Sequence, residues 1–242
     1  MKERILLGML TPSSNTVLEP LASAMVAALP EVSVHFSRFP VTEIALSDRA
    51  LKQFHHTPII RAAKLLSHAR VDVIAWSGTS SGWLGFDSDE ALCAALSDST
   101  GIAACTSVLA LNEIFTLTGV ERFALVTPYR DDVQERIIGN YRAAGFHCVA
   151  ERRLGLTDNF SFSAVTGGEL RKMVLEVAAA RPQAIAIFCT NLRGAPLVEE
   201  LEGETDIPVY DTIATAVWKS LKIAGADVQR VTGWGRLFRN GA

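Results

Sequence analysis

Short apolar runs alternate with longer segments of mixed polarity along the whole chain, and glycine or small polar residues follow many of the runs. Short apolar runs bounded by turn residues predict buried strands, and longer segments with apolar residues three and four positions apart predict helices. Such alternation is typical of βαβ units, in which helices cover both faces of a mainly parallel sheet. We therefore predict an α/β fold.

The pattern predicts eight strands and seven helices. The strands are Ile5–Leu10, Val32–Arg38, Val71–Trp76, Ala103–Thr106, Phe123–Thr127, His147–Arg152, Ala184–Phe188 and Val209–Tyr210. The helices are Val17–Leu29, Leu51–Ala69, Ser107–Thr118, Asp131–Ala144, Gly168–Ala180, Ala195–Leu201 and Ile213–Ala224.

Four of these strands lead into loops that match in pairs. Ile5–Asn15 and Phe123–Arg130 both reach Thr-Pro, whereas Val71–Gly82 and Gln183–Gly194 both continue into hydroxyl-bearing residues and glycine. We interpret this as a duplication that gives two similar lobes, each with a mainly parallel sheet flanked by helices. Ligands in open α/β sheets bind beyond the carboxyl ends of the strands, so all four loops are expected at one cleft.

Composition narrows the class of protein. The 242 residues are 49% hydrophobic with a net charge of −3, which allows a large core and argues against a nucleic-acid surface. No apolar run is long enough to span a membrane, and Met1–Arg4 does not resemble the start of a signal peptide. These features predict a cytoplasmic protein that binds neither nucleic acid nor membrane, and they leave a homo-oligomer open.

Neither a metal nor an organic cofactor is predicted. The cysteines are scattered without CxxC spacing, and the five histidines form no HxxxH or HExxH pattern. Phosphate loops of the GxxxxGK[ST] and GxGxxG types are absent from the sequence.

The loops offer groups that could bind an anion. Gly78–Gly82 (GTSSG) combines backbone freedom with hydroxyls and N–H groups, and Ser13–Thr16 has similar groups. For both loops, capping of the following helix is the alternative role. Tyr129 could donate its phenolic hydroxyl to the same anion, or it could be a partly exposed loop residue.

Cys189 is the strongest candidate among the thiols. It ends a hydrophobic strand ahead of a helix that begins near Ala195, where N–H groups are expected to lower the thiol pKa. Cys105 is a weaker rival, Cys93 and Cys148 read as core residues, and a buried inert role for Cys189 stays open. A thiol beside an anion cradle suits proton transfer at a carbon next to a carboxylate.

At these residues the chain resembles the aspartate/glutamate racemase superfamily, specifically its branch of arylmalonate decarboxylases and maleate isomerases. The resemblance spans the chain and is carried by TPSSNT, GTS, YRDDV, CTN and GWGRLF, at Thr11–Thr16, Gly78–Ser80, Tyr129–Val133, Cys189–Asn191 and Gly233–Phe238. It implies two similar lobes with the active site between them and no cofactor. It also implies that the C-terminal segment returns to the first lobe, which gives residues 1–114 plus 213–242 as one lobe and 115–212 as the other.

The resemblance also assigns roles within the site. Racemases and maleate isomerases of this superfamily use a first-half cysteine where this chain has Gly78, so the resemblance argues against two-base racemisation. Cys189 would be the proton donor, Thr79, Ser80 and Tyr129 would form a dioxyanion hole, and an apolar pocket would destabilise the departing carboxylate. The sequence departs from the decarboxylases at Thr190, where they have glycine, and Asp211 lies in a loop that is usually serine-rich. The candidate binding residues are Pro12, Ser13, Asn15, Gly78, Thr79, Ser80, Tyr129 and Thr190.

Three functions follow as hypotheses. The leading one is a cofactor-free decarboxylase that acts on a substituted malonate-like dicarboxylate through an enediolate. The second is cis–trans isomerisation of a small unsaturated dicarboxylate, with Cys189 adding to the double bond and Asn15 holding a carboxylate. The third is a carboxylate-binding protein without catalytic activity. In each case the expected partner is a small carboxylate or dicarboxylate.

Overall fold

A computed structural model describes residues 3–239 and confirms the α/β fold with two similar lobes. Each lobe has a four-stranded parallel sheet flanked by helices, and the strand orders, β2-β1-β3-β4 and β6-β5-β7-β8, repeat the same plan. The strands are β1 (Ile5–Pro12), β2 (Val32–Phe39), β3 (Val73–Trp76), β4 (Ala104–Thr106), β5 (Arg122–Thr127), β6 (His147–Arg153), β7 (Ala184–Ile187) and β8 (Val209–Asp211). All eight predicted strands are present.

The helices agree less closely with the sequence pattern. They are α1 (Leu18–Met25), α2 (Asp48–Leu51), α3 (His56–His68), α4 (Ser81–Leu84), α5 (Asp87–Thr100), α6 (Ser107–Leu117), α7 (Asp131–Ala143), α8 (Gly167–Ala178), α9 (Val198–Thr205), α10 (Thr212–Ala224) and α11 (Arg236–Arg239). The prediction of a single helix over Leu51–Ala69 is wrong, because extended backbone at His55 separates α3 from a preceding 3₁₀ turn. A 3₁₀ turn likewise precedes α9, and α5 was not predicted because its polar residues leave only a weak apolar stripe.

The central strands direct the loops to one cleft. Every residue of β3 and β7 is buried, as expected for parallel strands covered by helices on both faces. β3 lies between β1 and β4, and β7 lies between β5 and β8. Because the strands of each sheet are parallel, the loops after β1, β3, β5 and β7 all leave at the carboxyl ends.

The two lobes pack closely beside Cys189. A Cβ atom at Gly82 in α4 would lie 2.6 Å from Cε1 of Phe188, so a larger residue could not pack there unchanged. Helix α10 contacts α1, α6 and β3 of the first lobe. The division into residues 1–114 plus 213–242 and 115–212 stays a prediction, and its positions 1, 2 and 240–242 lie outside the described residues. Between residues 3 and 239, no helix is long and apolar enough to cross a membrane.

Candidate active site

The predicted loops surround a small closed cavity between the lobes. Its walls are Pro12, Val41, Ile44, Phe54, Trp76, Gly78, Thr79, Ser80, Trp83, Tyr129, Asn159, Cys189 and Thr190. Seven of the nine candidate site residues are therefore brought together, and Ser13 and Asn15 lie behind the wall. The cavity volume is about 20 Å³, which is enough for about one water molecule.

A cluster of hydroxyl groups forms one side of the cavity. Thr79 Oγ1 and Tyr129 OH are 2.7 Å apart in a buried hydrogen bond, and either group can be the donor. Only one of their two hydroxyl hydrogens is used between them, and when Thr79 is the donor the Tyr129 hydroxyl can donate to the Cys189 sulfur or to a ligand. Ser80 Oγ accepts a 3.4 Å hydrogen bond from Trp76 Nε1 and keeps its own hydrogen free to donate. The arrangement can therefore present at least two hydrogen-bond donors to an anion.

Cys189 borders the same cavity, but its ionisation differs from the prediction. Burial raises the thiol pKa to about 12, although the Tyr129 hydroxyl and the backbone N–H of Asn191 oppose the shift. That N–H lies 3.4 Å from Sγ. The expectation of a lowered pKa is wrong, because the loss of water around a buried sulfur outweighs the nearby donors. Cys189 is consequently a thiol near neutral pH and holds a proton that it can donate.

The first lobe holds the Cys189 loop in place. Asn15 Nδ2 donates to the carbonyl of Thr190 at 3.0 Å, and the Thr190 hydroxyl donates to the carbonyl of Ser77 at 3.1 Å. Asn15 Oδ1 also accepts from the N–H groups of Val17 and Leu18 at the start of α1, as the capping alternative predicts. The amide of Asn15 is therefore engaged within the protein on both its oxygen and its nitrogen.

Ser13 and Arg38 also make contacts within the protein. Ser13 Oγ donates to the carbonyl of Val41 at 3.4 Å and accepts from the Val41 N–H at 3.1 Å. Arg38 donates to Glu19 at 2.8 Å on the surface. Ser13 thus supports the loop that carries Val41, which is itself a wall of the cavity.

The cavity wall also includes apolar side chains; the resemblance implies an apolar pocket, but sequence analysis did not identify its residues. These residues are Val41, Ile44, Phe54 and Trp83, although the indole N–H of Trp83 has no hydrogen-bond partner among the described residues. No Lys, Arg or His of residues 3–239 lines the cavity. Trp83 packs edge-on against Tyr129 and Phe54, with ring centroids 5.4 and 5.7 Å apart. Aliphatic and aromatic residues far apart in the chain look like core residues in a sequence, so nothing distinguished them beforehand.

Two loops, one from each lobe, close the cavity. Ile44 N–H donates to the carbonyl of Thr157, and Asn159 N–H donates to the carbonyl of Thr42, both at 2.9 Å. The Asn159 side chain also donates to Ser14 Oγ at 2.7 Å. Because the cavity has room for about one water molecule, its walls must move apart before a dicarboxylate can bind.

Asp211 is a buried carboxyl group close to the Cys189 loop. It pairs with Ile187 in the β7–β8 register and is fully buried. Oδ1 accepts from the Ile213 N–H at 2.8 Å and caps α10, whereas Oδ2 has no hydrogen-bond partner among the described residues. Burial raises the pKa of Asp211 to about 7, and a negative charge on it would disfavour a thiolate at Cys189.

We expect Asp211→Asn to gain stability relative to the parent protein as the pH rises from about 4 to 8. The unfolded chain ionises this carboxyl group near pH 4, whereas the folded protein keeps it protonated up to about pH 7. The parent therefore loses stability across this window, and asparagine, which still caps α10, does not. At 1.36 kcal/mol for each unit of pKa, the gain could approach about 4 kcal/mol.

Urea unfolding of both proteins at several pH values measures this difference. Burial also raises the pKa of Asp89, to about 6, but Asp89 is present in both proteins and its effect cancels. Parallel stability profiles for the two proteins would refute the burial of an ionisable Asp211.

The remaining cysteines lie away from the cavity wall. Cys105 is buried with its sulfur 3.7 Å from Ser220 Oγ, and burial raises its pKa to about 11. Cys93 and Cys148 are partly buried, and burial raises their pKa values to about 12 and about 11. Within residues 3–239, no group of three or more His, Cys, Asp or Glu is placed to hold a metal ion.

Comparison with known proteins finds a matching family model and several related enzymes. The family model described as arylmalonate decarboxylase matches residues 8–238. The arylmalonate decarboxylase of Bordetella bronchiseptica is 27% identical over 183 residues, which cover 74% of this chain and 76% of that protein. The maleate isomerase of Geobacillus stearothermophilus is 25% identical over 233 residues, which cover 92% of each protein.

A solved structure supports the fold. It is a cysteine-to-serine variant of the Nocardia farcinica maleate cis–trans isomerase with a covalently bound succinylcysteine intermediate. It matches with a TM-score of 0.89 over 98% of both chains at 24% identity. The two-lobed architecture is therefore shared with maleate isomerases.

Proposed function

The chain belongs to the arylmalonate decarboxylase family, and we propose that it decarboxylates a substituted malonate-like dicarboxylate without a cofactor. The observation that carries this proposal is a cavity whose wall combines buried hydroxyl groups, apolar side chains and a protonated thiol. Family membership alone does not choose the reaction, because both decarboxylases and isomerases are among the relatives.

The hydroxyl side would bind the carboxylate that the product retains. Thr79, Ser80 and Tyr129 supply donors where negative charge grows as that carboxylate becomes an enediolate. Donors fixed in advance at such a position, where water is excluded, stabilise a transition state more than the ground state. These three residues therefore have the properties of an oxyanion hole.

The apolar side would receive the carboxylate that is lost. A carboxylate against Val41, Ile44 and Phe54 would have no cation among the described wall residues to stabilise its charge. Carbon dioxide is neutral, so cleavage of the carbon–carbon bond relieves this penalty. The bonding electrons pass into the enediolate that the hydroxyl side stabilises.

Cys189 would complete the reaction as a general acid. Its thiol transfers a proton to the α-carbon of the enediolate and becomes a thiolate, which must recover a proton from solvent before the next turnover. Each turnover thus releases one carbon dioxide and consumes one proton. The raised pKa of Cys189 favours this role, because the residue must begin each cycle protonated.

Isomerisation of an unsaturated dicarboxylate is the second candidate, and the near full-length similarity to maleate isomerases supports it. In the Nocardia farcinica variant, a succinylcysteine is present although one cysteine is replaced by serine. In the described part of this chain, Cys189 is the only cysteine on the cavity wall, and its thiol form is a poor nucleophile. The cavity therefore favours the decarboxylase.

A panel of substrates separates the candidates. We expect carbon dioxide release and matching proton uptake with arylmalonates, and no fumarate from maleate. Fumarate formation without decarboxylation would instead identify an isomerase. Ligand-induced thermal stabilisation without any turnover, unchanged by Cys189→Ala, would identify a binding protein and contradict both enzymatic readings.

A further inference from the structure

Gly78 and Cys189 occupy equivalent places in the two lobes. Each lies two residues beyond the end of its strand, β3 or β7, and these strands hold the same position in sheets of the same order. Both residues line the cavity. Residue 78 is therefore the second place from which a side chain could reach the carbon that Cys189 protonates.

The indole of Trp76 already fills the space that a side chain at residue 78 would need. A Cβ atom at Gly78 would lie 2.1 Å from Cζ2, 2.4 Å from Cη2 and 2.6 Å from Cε2 of Trp76. Unbonded carbon atoms do not approach this closely, since favourable contact begins near about 3.5 Å. Even alanine at residue 78 requires the indole to move.

The indole is held firmly in this position. Its Nε1 donates to Ser80 Oγ at 3.4 Å, and its ring packs on Phe39 with centroids 5.1 Å apart. The side chain is only 1% exposed, so its neighbours leave little room for another rotamer.

The second lobe lacks this obstruction. Ile187 ends β7 and is the counterpart of Trp76. The Ile187 side chain packs against Gly194, where an added Cβ would lie 2.8 Å from Ile187 Cδ1. The side chain of Cys189 is therefore free to line the cavity. The difference between the lobes therefore involves two linked positions, the strand end and the residue two places beyond it.

We propose that Trp76 is a specificity-determining residue whose indole keeps any side chain at residue 78 out of the cavity and so confines proton transfer to the face served by Cys189. The consequence for stereochemistry rests on the proposed decarboxylase function, whereas the steric coupling between Trp76 and residue 78 does not.

Thermal unfolding tests the coupling without any substrate. Gly78→Ala should lower the Tm of the parent protein by at least about 2 °C, since overpacking a buried site destabilises the folded state. In a Trp76→Phe background, which lacks the outer ring of the indole, the same substitution should lower Tm by less than half as much. Equal losses in both backgrounds would overturn the proposal. Trp76→Leu provides a second background if the phenylalanine variant does not fold.

Product stereochemistry tests the functional consequence, with an arylmalonate that carries a second α-substituent as substrate. We expect Gly78→Cys alone to lose at least about tenfold in kcat/KM while still forming one enantiomer. With Trp76→Phe added, the Cys189 thiolate can take back the α-proton that it delivered, and the introduced thiol can donate a proton to the opposite face of the enediolate. The double variant should therefore exchange and racemise its product in D2O.

Two stereochemical results would contradict the proposed role of Trp76. Racemised product from Gly78→Cys alone would show that the indole does not exclude the side chain, and optically pure product from an active double variant would show that Trp76 does not control the face. If the parent protein releases no carbon dioxide, the proposed function fails, and the Tm comparison still decides the steric coupling.

Discussion

Cys189→Ala is expected to lower kcat for decarboxylation by about 10²–10⁴-fold, the range for loss of a general acid. The thiol lines the cavity and carries a proton near neutral pH because burial raises its pKa to about 12. Alanine keeps the backbone and the hydroxyl cluster but supplies no proton to the α-carbon. Substrate affinity should change much less than kcat, because Thr79, Ser80 and Tyr129 remain.

Cys105→Ala is the matched control for this substitution. Cys105 is also a buried thiol with a raised pKa, but it lies in β4 beside Ser220 and does not line the cavity. Both variants remove a buried sulfur, so similar losses in Tm are expected, and only Cys189→Ala should lose turnover. Steady-state kinetics with purified, folded protein measures the difference. An active Cys189→Ala enzyme would refute its assignment as the proton donor.

Tyr129→Phe is expected to lower kcat by about 10²–10³-fold, as when one donor of an oxyanion hole is removed. The phenolic hydroxyl hydrogen-bonds to Thr79 Oγ1 at 2.7 Å inside the cavity wall. Phenylalanine retains the ring that packs against Trp83 and Phe162, so the walls should keep their shape. The loss in stability should be near the roughly 1 kcal/mol of a single hydrogen bond.

Tyr141→Phe removes the same atom from a different buried tyrosine. Tyr141 is fully buried, and its hydroxyl has no hydrogen-bond partner among residues 3–239. It lies in α7 and does not line the cavity. This variant should keep wild-type kcat and should not lose stability. Equal kcat values for Tyr129→Phe and the parent would exclude Tyr129 from the oxyanion hole.

The sequence pattern predicts the sheets well because their strands are short apolar runs. Ala184–Ile187 is buried on both faces, so it stands out in the sequence as a continuous apolar run. Helix α5 shows the opposite case, because its polar composition gives no clear apolar stripe. In the folded protein it packs against α3 and β4. His55 also breaks a predicted helix, and Pro58, in the first turn of α3, is the signal of a helix start that the periodic pattern does not take into account.

The sequence predicts which residues form the polar part of the site, but not which residues form its apolar part. Thr79, Tyr129 and Cys189 follow strand ends, where ligands bind in this class of fold. Ile44 and Phe54 look like ordinary core residues, and only the folded loops bring them to the cavity.

The ionisation of Cys189 was predicted incorrectly for a related reason. A sequence reveals nearby donors and a helix start, but it does not reveal that water is excluded from the sulfur. Burial then dominates and raises the pKa. The corrected ionisation state suits a proton donor better than a nucleophile.

The most direct test of the account is decarboxylation in D2O of an arylmalonate with a second α-substituent, followed by NMR and chiral analysis of the product. The account predicts one carbon dioxide and one α-deuterium for each turnover, in a single enantiomer, because Cys189 alone delivers the proton. Racemic product from the parent enzyme, or a kcat in Cys189→Ala equal to that of the parent, would contradict it.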